Sequence, residues 1–570
     1  MNESHRPTPR GRAFFSGSVL LLLLAGGAIL AAIVAAVFSA ELVGLGIRLY
    51  SRTGTVTGTG LEMMQRVVAR ARGMFLLGGV GCLGMAWLFH RAERAMGAAP
   101  APVPEGSREP EARWLLWLMA ALALLRAALN WEHLHDSLWC DELYSWKNFA
   151  GGSIAGIFGV SKSNLPNNHV LNSLLMKLSL SLGLESEAGL RLWSFAASLG
   201  AVPAAWLLGR VFRLRPLWTA LLMLLAATSP VIERYGTQAR GYGLAILLAM
   251  LSVALHVSLF ESAARWRRIA LIFVNALLVL ANLYTITLLV GELLHLLAEG
   301  LVPRSASRRE GHPGYRGHLF SLLVSLLLSL GLNLLLIPFI ILNSVVFAMK
   351  TPHSAAALLQ TLSGTLLPLE NRWLGVFVLL ALAALAAGSR GRRADRGAWA
   401  LLAIFGCGIG AGIAMHLYEL RAVAYLNGLT LLLFAIIFER VRLGRLLAPT
   451  ATILALLVAG HGARFSLQRP VIQDYRGMIA AAERLADGRP LWTSGFASEG
   501  VDYYRALPTP ERMPAGPSVY LSFFEWEVKN DPLQQAAWSA CRLRQAIPSE
   551  LKMAIYECPA ARRPGGPAER

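Results

Sequence analysis

The sequence predicts an all-α polytopic membrane protein that carries a small α/β domain at its C-terminal end. Three observations carry that prediction. Apolar residues fill 55% of the 570 positions and charged residues only 15%, a balance too apolar for soluble domains of that total length. Apolar runs of roughly 20 residues recur through most of the chain, the length a helix needs to cross hydrocarbon while satisfying its own backbone. Past residue 462 these runs stop, and shorter helix-like and strand-like segments replace them.

Taken in order, the runs predict about thirteen spans, at 13–40, 73–89, 113–129, 186–209, 216–231, 242–260, 268–282, 285–300, 319–342, 372–388, 397–415, 422–438 and 446–462. Arg6, Arg10 and Arg12 precede the first, whose apolar run is too long for a signal-peptide core, so it reads as a retained helix. With the N-terminus inside, arginines collect on inner segments: Arg210, Arg213 and Arg215; Arg265, Arg267 and Arg268; Arg304, Arg308, Arg309 and Arg316; Arg390, Arg392, Arg393 and Arg396; Arg440, Arg442 and Arg445. This positive-inside bias supplies much of the formal charge of +19. The basic balance therefore predicts contact with membrane lipids and excludes a nucleic-acid partner. One long stretch, 41–72, with Arg48, Arg52, Arg66, Arg70 and Arg72, breaks the pattern.

Three regions follow: an N-terminal membrane extension with two helices (1–112), a transmembrane region (113–462) with an outer loop at 130–185, and a soluble α/β domain (463–570) on the outer side. In the last, "QDYRGMIAAAERLADGRPLWTSG" reads as helix then strand, "PSVYLSFFEWEVK" as strand and "DPLQQAAWSACRLRQA" as helix. Cys541 and Cys558 fall there, and either a disulfide or two free thiols is compatible with the sequence. Tyr475, Trp492, Tyr503, Tyr504, Trp526 and Trp538 offer either sugar-stacking faces or the packing of a small domain.

The chemistry concentrates in "NWEHLHDSLWCDELYSWKNFAGG", which opens the outer loop. Asp141 and Glu142 are adjacent, so on regular structure their side chains diverge and take different roles. A carboxylate under aromatic cover such as Tyr144 is a candidate general base for an acceptor hydroxyl or amine; the alternative is an ordinary polar loop with solvated acids. His133, His135 and Asp136 form a weak candidate for a divalent ion. The following "NNHVLNSLLMKLSLSLG" has helical apolar spacing and predicts an amphipathic interfacial helix. At its start Asn167, Asn168 and His169 suit substrate, phosphate or metal contact, or simply cap the helix. A divalent metal ion held by Glu142 and His169 is a further expectation.

Arg234, Arg240 and Arg421 lie on the predicted outer side, against the positive-inside trend. A guanidinium placed there suits a phosphate, because it stays ionised and offers parallel donors, or it pairs with Glu233 or Glu419 or reaches lipid headgroups. Tyr235, Gln238 and Tyr242 are candidates to line the same cavity, with Tyr284 at a neighbouring outer turn.

The order of the Asp-Glu loop, "NNHVLNSLLMKL", "ESEAGLRLWSFAASLGAVPAAWLLGRVF", "SPVIERYGTQARGYGLAILLAML" and "LANLYTITLLVGELLHLL" resembles bacterial membrane glycosyltransferases of the GT-C superfamily. Within it, the chain is similar to the protein O-mannosyltransferase and aminoarabinose lipid A transferase group, glycosyltransferase families 39 and 83. The resemblance covers about 113–300, more loosely to about 465. It implies transfer of a sugar from a polyprenyl-phosphate donor to a lipid, glycan or protein acceptor at the outer face of a bacterial inner membrane, with inversion. It implies Asp141 as base with Glu142 its acidic neighbour, and Arg240 as the arginine of the second outer loop. "ELRAVAYLNGL" resembles a late outer motif with Arg421 as its basic residue. The group more often has His-Pro-Pro where this chain has Asn168-His169-Val170, a departure that bears on the acceptor. Two other classes fit a polytopic chain: a transporter or flippase of lipid-linked sugars, which would bury ionisable residues along its spans, and a noncatalytic membrane assembly protein.

Overall fold

A computed structural model describes residues 113–159, 167–262, 264–301, 314–333, 396–414, 424–440, 447–493, 497–505, 516–522, 541–549 and 553–559, with scattered helical positions between Ala25 and Arg91. Between Arg113 and Gln468 the regular elements among the described residues are all helices. Helix α1 (Arg113–Trp131) runs on through a short 3-10 turn, Glu132–Leu134. The loop that follows holds α2 (Cys140–Ser145), a π-turn (Trp146–Ala150) and α3 (Ile154–Ile157). Then come α4 (Val170–Ser181), α5 (Glu187–Val211), α6 (Pro216–Thr228), α7 (Pro230–Gly236), α8 (Tyr242–Ser258), α9 (Arg265–Ala281), α10 (Ile286–Leu301) and α11 (Tyr315–Leu332). Helices α12 (Arg396–Ala414), α13 (Asn427–Arg440) and α14 (Leu447–Gln468) complete the region.

Among the described residues four helical stretches are long and apolar enough to cross a membrane: Arg113–Leu134, Glu187–Val211, Leu283–Leu301 and Tyr315–Leu332. The expected span at 216–231 is not one straight helix. It breaks at Ser229, where α6 and α7 meet at 47°, because Pro230 has no amide to continue the ladder of α6. Pro230 instead takes the first position of α7, and Ser229 caps that helix by accepting the Ile232 amide. If the bent pair counts as one span it is the fifth. The apolar helices Val170–Ser181, Tyr242–Ser258, Gly397–Gly410 and Ala424–Ile437 are shorter. The expected span at 372–388 and most of the first two lie outside the described residues.

Helix α8 sits at the centre of the bundle, apolar and buried around most of its circumference, and packs on α5 and α9. It also carries buried polar positions, which meet buried ionisable groups of the neighbouring helices. Ser252 and Asn275 of α9 both donate to the buried Glu292 of α10, at 2.7 and 3.1 Å. One turn along, His256 meets His295 of α10 at 2.9 Å and His318 of α11 at 3.0 Å, all three buried.

After α14 the chain enters α15 (Tyr475–Ala486), β1 (Leu491–Thr493), α16 (Ala497–Arg505), β2 (Ser518–Ser522), β3 (Arg542–Ile547) and β4 (Met553–Cys558). The strands form one sheet in the order β1-β2-β4-β3. β1 and β2 pair in parallel, Leu491 opposite Val519, which requires a crossover between them; α16 lies in that connection. β4 pairs antiparallel with both β2 and β3. Cys541 and Cys558 are joined in a disulfide. Tyr475, Met478, Leu521 and Ile555 of this segment share one core with Leu138, Leu143, Met176 and Leu190 of the transmembrane region. The C-terminal segment therefore rests directly on the loop that carries Asp141 and Glu142.

Candidate active site

The site begins at the start of α2. Trp139 is its extended N-cap, and Glu142, at the third helical position, reaches back to accept the Trp139 amide at 3.0 Å. That same carboxylate takes a bidentate pair from Arg191 of α5, Nε to Oε1 at 2.9 Å and Nη2 to Oε2 at 2.7 Å, and the Ala239 amide at 2.5 Å. Glu142 is fully buried and Arg191 almost so. The remaining donors of Arg191 bind the backbone carbonyls of His133, Leu134, Asp136 and Ser137 at 2.6–3.1 Å. One guanidinium thus gathers the whole entry to α2 and ties it to the bundle.

Asp141, one helical position earlier, points elsewhere. Its side chain keeps 30% of its surface exposed and lies 3.7 Å from Nη2 of Arg240, whose Nη1 donates to the Asp141 carbonyl at 3.0 Å and to Ser145 Oγ at 2.9 Å. Arg240 comes from the tight loop Thr237–Gly241. Its guanidinium also lies 5.7 Å from the Tyr242 ring centre, and its carbonyl accepts from Ser194 Oγ at 2.9 Å. The loop nests this deeply because of Gly241, where a Cβ would sit 1.9 Å from the Ala281 carbonyl and 2.7 Å from His169 Nδ1.

Of the expected site residues, the structure brings together Asp141, Arg240, Tyr242, Tyr235 and His169. His169 donates from Nδ1 to the Ala281 carbonyl at 2.8 Å and packs edge-on against Tyr242 at 4.4 Å, and Tyr235 lies 4.9 Å from Tyr242. Asn168 is in the turn before α4, whereas its neighbour Asn167 is buried and bonds Ile157 and Ser173. Gln238 is buried, and its backbone carbonyl accepts the Arg240 amide. Tyr144 packs edge-on against Phe149, and Tyr284 occupies a 3-10 turn after α9. Arg234 is half-buried beside Glu233. Arg421 lies outside the described residues.

The expectation of a metal at Glu142 and His169 is corrected. Both Glu142 oxygens are engaged by Arg191 and two amides, which leaves no lone pair facing a cation, and among the described residues no three His, Cys, Asp or Glu side chains gather as a metal site. Nor do His133 and Asp136 stand open. They bond each other at 2.9 Å, and His133 also binds the Ser466 carbonyl. Burial alone would raise the Asp136 carboxyl; the His133 bond and charge, with Arg191 and Arg469, more than offset it and hold it below its usual value.

Two ionic features escape a reading of the sequence. Arg191 sits inside an apolar run, where its partner Glu142 is 49 positions away. Glu233, noted above only as a possible partner of Arg234, instead meets Arg469 at 3.3 Å, and Arg126 is buried nearby. The available signal is the rarity of arginine within a span, which marks such a residue as paired or functional.

No family model and no curated protein matches the sequence. Among solved structures, the chain is similar to the Archaeoglobus fulgidus oligosaccharyltransferase in complex with zinc and sulfate, at 12% identity and a TM-score of 0.39, covering 68% of this chain and 61% of that one. It is also similar to ArnT from Cupriavidus metallidurans bound to undecaprenyl phosphate, at 12% identity and a TM-score of 0.44, over 80% of this chain and 100% of that one. The apo form of ArnT gives 12% identity and a TM-score of 0.40. At such identities and scores the chemistry of the site has to be read from its own residues.

Proposed function

We propose that the chain transfers a sugar from a polyprenyl-phosphate donor to a lipid, glycan or protein acceptor at the outer face of a bacterial inner membrane, with the C-terminal segment on that same side. The observation that carries this reading is the pairing of a half-exposed carboxylate, Asp141, with a partly buried guanidinium, Arg240, at 3.7 Å. It is supported by the resemblance of the flanking motifs to GT-C enzymes.

In this reaction Asp141 accepts the proton of the acceptor hydroxyl or amine as that atom attacks the anomeric carbon. The bond from that carbon to the phosphate oxygen breaks, and the electron pair leaves on the lipid phosphate, whose growing charge Arg240 stabilises. The proton then passes from Asp141 to solvent. One displacement inverts the anomeric centre. A retaining route needs a second carboxylate as nucleophile, and Glu142 is enclosed by Arg191. Glu142 serves here by fixing the start of α2. Tyr242, Tyr235 and His169 pack beside Arg240, and Gln238, Tyr144, Asn168 and Tyr284 are proposed as further substrate contacts. Arg234 and Arg421 complete the proposed phosphate set.

Buried Glu292 and the chain His295–His256–His318 favour one second reading, carriage of a lipid-linked sugar across the membrane. The same experiment separates the two. Cells lacking the protein are complemented with wild type or D141N at equal expression, and their lipids, glycans and envelope proteins are compared by mass. Transfer requires a sugar-sized mass step that wild type restores and D141N does not, a loss of at least about 100-fold. Full restoration by D141N removes Asp141 as base and leaves transport or a noncatalytic role.

A further inference from the structure

Three consecutive backbone amides lead into α2, and each ends on a side chain. Leu138 donates to the Tyr504 hydroxyl at 2.7 Å, Trp139 to Glu142 at 3.0 Å and Cys140 to Gln473 Oε1 at 2.8 Å. Two of these three acceptors belong to the C-terminal segment, more than 300 positions along the chain. Leu138 is fully buried, so water offers its amide little alternative, and the Gln473 side chain that accepts from Cys140 is fully buried as well. The same surface is held further by Arg476, which binds Glu187 at 3.2 Å, the His135 carbonyl, and Ser137 Oγ through its amide. Tyr504 in turn donates to Glu187 at 3.2 Å, closing a ring of contacts between α5, the loop and α16.

From this we infer that the C-terminal segment is a working part of the active site, with Tyr504 and Gln473 as positioning residues that hold the backbone on which Asp141 rides. The inference rests on the transfer reading above and extends it to a segment in which that reading places no chemistry. Neither side chain is assigned contact with substrate. Each acts through an amide within three positions of Asp141. Displacement of a reacting group by about 1 Å is enough to cost about 100-fold in rate, and loss of one of the three tethers is a smaller perturbation.

The test uses the full-length protein in detergent or nanodiscs, with Tyr504→Phe and Gln473→Met as nearly isosteric variants: the first removes the acceptor of the Leu138 amide together with the bond to Glu187, the second the acceptor of the Cys140 amide. Tyr503→Phe is the control, because its hydroxyl contacts only the exposed Glu185 carbonyl, at 3.3 Å, and its ring packing on Trp146 survives. Two readouts are taken: hydrogen exchange of the segment 137–141, and kcat and KM for a polyprenyl-phosphate sugar. The expected result is faster exchange in both variants, kcat lowered about tenfold, donor KM within about twofold, and no change in the control. Unchanged exchange overturns the clamp. Faster exchange with unchanged kcat overturns the positioning role. A wild-type protein that transfers no sugar, yet whose exchange still responds to Tyr504→Phe, overturns the transfer reading and the catalytic half of this inference while leaving the clamp standing.

Discussion

Replacing Arg191 with Met tests how much of the site depends on one buried residue. Arg191 makes a bidentate pair with Glu142 and also binds the carbonyls of His133, Leu134, Asp136 and Ser137. Removing the cation strands a carboxylate that is fully buried, which costs about 3–5 kcal/mol. The orphaned carbonyls add to this, at roughly 1 kcal/mol for each one that water cannot reach. Arg191→Met is therefore expected to lose about 5 kcal/mol or more, a large share of the roughly 5–15 kcal/mol typical of a folded domain. The double variant Arg191→Met with Glu142→Leu separates two explanations. A simple buried ion pair replaced on both sides by apolar groups is close to neutral. Here the double variant still strands four carbonyls together with the Trp139 and Ala239 amides, and it is expected to remain about 3 kcal/mol or more below wild type. Reversible unfolding in mixed micelles, followed by tryptophan fluorescence, measures both variants. A double variant within about 1 kcal/mol of wild type would refute the claim that Arg191 organises the backbone and not merely Glu142.

Arg240→Ala is expected to raise the KM for a polyprenyl-phosphate donor by about 10- to 100-fold, and Arg240→Lys by less, since a lysine keeps the charge but not the fork; steady-state kinetics decide it, and equal KM values for wild type and Arg240→Ala would remove the phosphate role. Cys541→Ser with Cys558→Ser opens a loop of sequence separation 17 and is expected to destabilise the C-terminal sheet by about 3 kcal/mol, read as earlier protease cleavage after residue 490. Burial pushes the Tyr504 phenol well above its ordinary range. A group whose folded value is raised stabilises fully below the unfolded value, near 10, and loses that contribution as pH rises toward the folded one. Wild type is therefore expected to lose thermal stability above pH 10 more steeply than Tyr504→Phe, and parallel curves would count against a buried, protonated hydroxyl.

Much of the architecture is legible from the sequence because its signals are local. Hydropathy finds most described helices, and "NNHVLNSLLMKL" is indeed a helix from Val170 to Ser181. The break at Ser229 was equally local, since Ser-Pro is both a cap and a breaker, but it stood within an apolar run and hydropathy counted through it. What stays hidden is long-range and polar. The partner of Glu142 lies 49 positions away, that of Leu138 lies 366 and that of His133 lies 333. No period in a sequence encodes such separations. The C-terminal aromatics show the same limit from the other side: Tyr475 and Trp492 are both buried in the packing, and Tyr504 packs and also accepts a backbone amide, a role its residue type does not announce.

The adjacent acids show how local and long-range signals combine. Successive helical positions diverge by roughly 100°, so a sequence reader can assign Asp141 and Glu142 different directions but not their partners. Those partners are themselves adjacent: the Ala239 amide takes Glu142, and Arg240 takes Asp141. The buried contact consequently sets the register of the open one. If Glu142 releases Ala239, the loop Thr237–Gly241 can slide, and Arg240 loses its alignment with the Asp141 carboxylate. Glu142→Gln keeps the size of the side chain, but its amide nitrogen replaces an oxygen that accepts from both Arg191 and a backbone N–H, so two contacts become donor against donor. The variant is therefore expected to lower turnover while Asp141 and Arg240 are both still present, and Arg240→Ala in that background should cost less than in wild type. A double-mutant cycle measures the difference; strictly additive losses would mean that the two contacts act independently.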